Sequence, residues 1–426
     1  MLRRLRLPIF TALCLLGALP SSAIAQVKAL RFGAVVDGKG GVVRDASIIV
    51  DGERVVRVAP GRDALPRNAE VIDLRRYTAI PGLIDVHTHM TYYWDQSPGT
   101  TPFRQPARAP AQTVALAREN ARKTLETGVT TVRDLGASNY TDIAMRDSIN
   151  RGAFVGPRRF VAGFGLSRAQ PRQGIDSTVT ARGRVFTIAQ IPAAVKQQVD
   201  AGADYIKMYG STGTGADVSG RQTFSYDEMK AAVDAAHALG KRIAIHSYGP
   251  EGGRDAVRAG AETVEHPVDL DDATLAEMAR RGTVYVPTID HNRYYAEYRE
   301  QYGYTVEQAA GLDAYRRRNI ETARRAHAAG VKLGMGSDAV FTMFGQNTRE
   351  LRWFVEAGMT PAQALAAATT NGAALLGMEK SIGAIAPGYF ADIVAVDGDP
   401  LADIRVVIEG VRWVMKGGVV VVDRTR

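Results

Sequence analysis

The chain has 426 residues, 46% apolar and 23% charged, a composition that excludes a wholly disordered, collagenous or coiled-coil protein. Its formal net charge is +8, but the basic residues are scattered and no basic run is interleaved with stacking aromatics, which argues against a nucleic-acid partner. The length allows one large α/β barrel with a small satellite, or two to three ordinary domains.

Residues 1–25 read as a secretory leader. Arg3, Arg4 and Arg6 form a positive start, Leu7 to Pro20 a short apolar run, and Ala23-Ile24-Ala25 a small-x-small cleavage site. The apolar run falls short of the roughly 20 residues needed to span a bilayer, so no membrane association is expected after cleavage near Ala25. The expected location is periplasmic or secreted. The only cysteine, Cys14, lies in the leader, so neither disulfides nor thiolate ligands are expected in the mature chain.

Residues 26–80 hold short alternating runs such as Ser47-Ile-Ile-Val-Asp51 and Arg54-Val-Val-Arg-Val58, separated by Gly-rich turns. From residue 81 a different pattern recurs: a helical stretch ends in Gly and a β-rich run follows at once. Gly128, Gly202, Gly240, Gly260, Gly282 and Gly330 each precede such a run, as Gly suits the left-handed position that ends a helix. With Gly82 to His89 before them and Arg159 to Phe164 between, the count is eight strands alternating with helices. That predicts a parallel (β/α)8 TIM barrel over 81–382. Residues 383–426 return to short β runs and are expected to pair with 26–80 in one small β-sandwich. Three long segments, 90–112, 165–190 and 289–305, follow strand ends and would lie over the barrel mouth.

Five of the seven histidines sit at or just beyond predicted strand ends. His87 and His89, two apart, share one face of a strand. His246 and His266 end the fifth and sixth strands, and Asp338 follows the eighth. Strand ends converge on one mouth, and imidazoles with a carboxylate suit zinc and similar divalent ions. A buried, hydrogen-bonded histidine would account for any one of these alone, but not for all together. His237 and His327 occupy equivalent helical positions and are read as packing or capping residues. Lys207 ends the fourth strand at the same mouth. Either it forms an inward ion pair or, deprotonated by nearby metal charge, it takes up carbon dioxide as a carbamate able to bridge two metals.

Pro81-Gly-Leu-Ile-Asp-Val-His-Thr-His89, Tyr205-Ile-Lys-Met-Tyr209, Ile245-His-Ser-Tyr-Gly249, Val264-Glu-His266 and Gly336-Ser-Asp338 resemble the amidohydrolase superfamily. The imidazolonepropionase-like branch, with its Xaa-Pro and Xaa-Arg dipeptidases and ochratoxin-hydrolysing amidases, is most similar. The resemblance implies that His87, His89 and Asp338 hold one metal, His246 and His266 a second, and carboxylated Lys207 bridges them. It implies a hydroxide shared by the two ions as nucleophile and Asp338 as the proton carrier. Tyr248 matches a substrate-contacting position. Tyr248, His291 and Arg293 are the candidates for holding a substrate carboxylate, a surface-loop role being the alternative for the last two.

The expected activity is hydrolysis of dipeptides or N-acyl amino acids, ochratoxin-like aryl amides included, by a homo-oligomer. The alternatives are a cyclic-amide hydrolase, a mononuclear deaminase and a non-catalytic scaffold. A deaminase needs a Glu shortly after the third histidine, whereas Glu251 lies five residues beyond His246.

Overall fold

The computed structural model describes residues 27–61, 65–171, 177–178 and 181–425; the expected leader and its cleavage site lie outside them. No helix among the described residues is long and apolar enough to cross a membrane.

The two ends of the chain meet in one sheet of seven strands. From edge to edge it runs Val419–Asp423, Val411–Lys416, Ile393–Val396, Glu70–Pro81, Lys28–Val36, Val42–Asp51 and Arg54–Pro60. The join is antiparallel, Ile393 opposite Pro81 and Val396 opposite Thr78. The two ends thus pair in one continuous hydrogen-bonded sheet that curls back on itself, with Val55 N–H donating to the Tyr389 carbonyl at 2.9 Å and Ala391 N–H to the Glu53 carbonyl at 2.8 Å, and its two halves share a core. Alternate residues supply that core: Leu30 and Phe32, Ala46, Ile48 and Val50, Ile393 and Ala395, Trp413 and Met415. Their neighbours Val394, Val396 and Val414 face the other way and pack into the core of the α/β part.

The α/β part carries two parallel sheets. One contains Leu83–Thr88, Val129–Asp134 and Arg158–Val161; the other contains Tyr205–Tyr209, Arg242–His246, Thr263–Glu265 and Val284–Val286. Leu83–Thr88 and Val129–Asp134 are buried at every position, as strands covered on both faces must be. Parallel bridges link the sheets, Leu166 to Met208 on one side and Tyr285 to Leu333 and Thr88 to Ala339 on the other. The stretch 331–337, expected as the eighth strand, makes the bridge at Leu333, and Ala339 just beyond it makes the one to Thr88, without a regular strand forming. The result is a TIM-barrel-like α/β arrangement. The helix-ending glycines behave as expected: Gly260 and Gly282 take φ of 101° and 76°.

The segment 289–305 differs from the loop expected there. It folds as two helices, Ile289–Glu297 and Arg299–Tyr302. His237 and His327 lie on the helices Tyr226–Ala238 and Val306–Ala328, and His237 Nε2 sits 2.9 Å from Glu262 at the surface, away from any cluster.

Candidate metal centre

The strand ends bring His87, His89, Lys207, His246, His266 and Asp338 to one cavity of about 440 Å³. All six are buried. The ligating atoms of His87, His89 and Asp338 lie within 4.8 Å of one another. The rings of His246 and His266 are 4.6 Å apart, and that of His87 is 5.0 Å from His266.

The ring nitrogens facing away from the cavity are tied down. His87 Nδ1 donates to Glu265 at 2.8 Å, and His89 Nδ1 to the Gly136 carbonyl at 2.9 Å. His266 Nδ1 is 2.6 Å from Thr288 Oγ1, whose hydroxyl donates to the Pro287 carbonyl at 2.8 Å. That hydroxyl has one proton, so His266 must be the donor to it. In all three rings the proton sits on Nδ1 and the Nε2 lone pair is left for a cation. Burial holds His87, His246 and His266 neutral, pulling His87 down to about 4 and the other two well below the usual imidazole range, while at His89 the Asp338 carboxylate outweighs burial and raises it.

Lys207 is 1% exposed, and its Nζ has no hydrogen-bond partner among the described residues. Burial pulls its ammonium down to about 8, against the opposing charges of Glu265 and Asp338. The alternative, an inward ion pair, is not formed with any of the described residues. An orphaned buried amine beside bare imidazole nitrogens and a carboxylate is a donor set that fits divalent metal with a carbamate bridge.

Backbone strain helps to aim these groups. His266, Thr288 and Asp338 take φ of 76°, 52° and 50°, a region that non-glycine residues seldom enter. At His266 this has a consequence that strand alternation hides. Glu265 and His266 are adjacent, yet both face the interior. Glu265 accepts hydrogen bonds from His87 Nδ1, Arg133 Nη2 and Thr263 Oγ1. Burial opposes its charge, but Arg133 and His87 outweigh this and take it down to about 2. Sequence reasoning gave it no role; its place directly before a strand-end histidine was the available signal.

Tyr248 lines the cavity as expected, its ring 5.1 Å from His246 and 5.0 Å from His266. Burial pushes its phenol far up, so it remains a hydrogen-bond donor. The small residues of 210–217 have a steric cause here. A Cβ on Gly213 would lie 2.4 Å from Tyr248 Cγ, at a φ of 114°. His291 is a buried helical residue rather than a surface one. Its Nδ1 donates to the Asp338 carbonyl at 2.8 Å, and its Nε2 is 3.3 Å from Asp338 Oδ2. Arg293 does not line the cavity, which corrects the expectation that it holds substrate. Its donors are taken by Asp290 at 2.8 and 3.0 Å, by Gln346 at 2.9 Å and by Glu297. Arg168, Tyr92, Phe103, Tyr295 and Phe341 line the cavity and were not singled out from the sequence.

The chain is similar to known proteins over nearly its whole length. It is 28% identical to an ochratoxinase of Aspergillus niger, covering 92% of this chain and 86% of that one. It is 26% identical to an imidazolonepropionase of Streptomyces coelicolor, covering 84% and 86%. A crystal structure of a Xaa-Pro dipeptidase with methionine bound in its active site superposes with a TM-score of 0.82 at 32% identity, covering 93% of this chain and 99% of that one. The amidohydrolase family model matches residues 78–421, and the chain belongs to that family.

Proposed function

We propose that this chain is a metal-dependent hydrolase of amide bonds in dipeptides or N-acyl amino acids, and that it works outside the cytoplasm. The observation that carries the reading is Lys207, a buried amine without a hydrogen-bond partner at the centre of four histidines and Asp338. His87, His89 and Asp338 would hold one ion, His246 and His266 another, and Lys207, as a carbamate, would join them; zinc is the expected metal. Bound there, the ions would supply Lewis acidity toward the scissile carbonyl and lower the pKa of water toward neutrality.

The chain's own residues do the rest. The Asp338 carboxylate accepts the proton of the attacking water and delivers it to the nitrogen as the C–N bond breaks. His291 Nδ1 donates to the Asp338 main-chain carbonyl and so fixes the residue that carries the carboxylate, with its Nε2 3.3 Å from Oδ2. Tyr248, kept protonated by burial, donates to the oxygen on which charge develops. Glu265 holds His87 in the tautomer that leaves Nε2 bare.

The test is metal analysis together with a screen of dipeptides, N-acyl amino acids and imidazolone propionate against zinc-loaded protein. Two equivalents of zinc and cleavage of linear amides are expected. Cleavage of the cyclic amide alone would transfer the reading to the imidazolonepropionase-like alternative. No bound metal and no turnover would leave a non-catalytic scaffold.

A further inference from the structure

The cavity has two unlike walls. On the Lys207 and His246 side it is polar, lined by Arg168, Ser211, Thr212, Thr214 and Thr223. Arg168 is fixed in place by the carbonyls of Thr223 and Phe186, at 3.3 and 3.1 Å, and by Glu228. On the Asp338 side a chain of rings runs from one histidine to another. Tyr92 stacks on His89 at 5.0 Å, and Phe341 follows at 6.0 Å. Phe103 meets Phe341 edge-on at 5.7 Å and Tyr302 at 5.4 Å. Tyr302 packs on Tyr295 at 4.6 Å, and Tyr295 on His291 at 4.5 Å. Both terminal histidines touch the Asp338 carboxylate, at 3.3 Å each, so the arc closes on the group that carries the proton.

Two rings in this arc are placed unlike the others. Phe103 is 58% exposed although it touches two buried rings, so one of its faces is open to water at the cavity mouth. Phe341 is buried at a φ of 49°, and its N–H donates to the Tyr92 carbonyl at 2.9 Å, which ties the two cavity-lining segments together. An apolar ring left half-wet beside a cavity is uncovered surface that a ligand ring can bury.

We infer that the arc is a specificity pocket for an aromatic or bulky apolar group of the substrate, with Phe103 and Phe341 as its specificity-determining residues, while the substrate's carboxylate lies against the Arg168 wall. This rests on the amidase reading and narrows its substrate class. The apolar group belongs either to the acyl half or to the amine half of the amide, and the experiment separates these sources.

Zinc-loaded protein is titrated calorimetrically with benzoate against acetate, which model the acyl half, and with phenylalanine against alanine, which model the amine half. In parallel, kcat/KM is compared for N-benzoylglycine against N-acetylglycine and for N-acetylphenylalanine against N-acetylalanine. At least one aromatic member should be preferred roughly tenfold, and Phe103→Ala should reduce that preference roughly two- to twelvefold, the worth of one ring–ring contact. Val155→Ala, at an exposed position outside the cavity, serves as control and keeps the preference. No aromatic preference in either pair, or one kept in both Phe103→Ala and Phe341→Ala, overturns the inference. Cleavage without preference would sink the arc and leave the amidase reading standing. Selective binding that depends on Phe103, with no cleavage of any amide, would do the reverse.

Discussion

At Lys207 a four-carbon stem carries an amine, 1% exposed, to a place where no hydrogen-bond acceptor among the described residues meets it. Such a group costs stability unless something covers it. Lys207→Ala should therefore fold well, yet bind at most one equivalent of zinc where the parent binds two, as read by plasma emission. Short carboxylic acids added back should restore part of the activity. Two equivalents of zinc and full turnover in the variant would remove the carbamate from the reading. Asp338→Asn tests the proton carrier with the backbone kept, because asparagine accepts the left-handed φ of 50° more readily than most residues, and zinc content measured alongside separates the lost proton carrier from a lost metal ligand. Turnover should fall by roughly a hundredfold to ten-thousandfold. A loss below about tenfold, only about 1.4 kcal/mol of barrier, would pass the proton to another group, His291 first. The strand-end places of the candidate ligands were legible because they follow from short-range pattern. Glu265 was not: alternation sends a residue to the face opposite its neighbour, and only the kink at His266 turns both inward. Arg293 was misread because a loop assignment hid its helical neighbours Asp290 and Glu297, three and four residues away, which take up its donors.

The helices and loops around the mouth depend on contacts distant in sequence. Ile289–Glu297 starts with its first N–H groups, those of Ile289 and Asp290, donating to Glu350 at 2.8 Å each, and Trp353 Nε1 donates to Asp290 at 2.9 Å. That partner lies 61 positions along the chain from Ile289. The local sequence, rich in tyrosine, has modest helix propensity, so nothing nearby announced a helix. The eighth strand position, by contrast, was legible from Gly330, while its irregular pairing was not, since bridges to two different neighbours leave no trace in composition. The loop 210–217 supplies a test at this scale. Gly213→Ala places a methyl 2.4 Å from the Tyr248 ring at a φ of 114°. The left-handed backbone alone costs roughly 1–2 kcal/mol. The variant should melt a few degrees lower and lose kcat/KM while keeping its zinc, since Tyr248 moves and the metal ligands do not. Unchanged kinetics would show that Tyr248 makes no contact that turnover needs.

Across the whole molecule, the sheet built from the two chain ends and the α/β part share a buried boundary, with Val394, Val396 and Val414 packed into the larger core. The candidate metal ligands are buried although they line an open cavity, and the stability of the surrounding interior is coupled to proton binding. Burial lowers His87 to about 4 and His246 and His266 well below 6.5. As pH falls through 6.5 these histidines take up protons in the unfolded chain, whereas the folded chain resists until about pH 4 in the case of His87. Through these three residues the unfolded state binds more protons in that window, so their contribution to stability falls as pH falls, whereas His89, raised by Asp338, and the buried carboxyls of Asp85 and Asp142, pushed up to about 6, act in the opposite sense. His87 alone accounts for about 3 kcal/mol over it. Glu265 acts in a lower range: its contribution is present above the ordinary carboxylate pKa and is lost as pH falls toward about 2, so it does not offset the histidines. Metal-stripped protein should thus show a Tm that drops by several degrees between pH 7.5 and pH 5. Excess zinc competes with protons for the same Nε2 lone pairs and should hold the Tm nearly level over that range. A flat profile for the stripped protein, measured by calorimetry at matched ionic strength, would mean that these imidazoles are hydrated and free to protonate in the fold, and the buried metal centre would have to be given up.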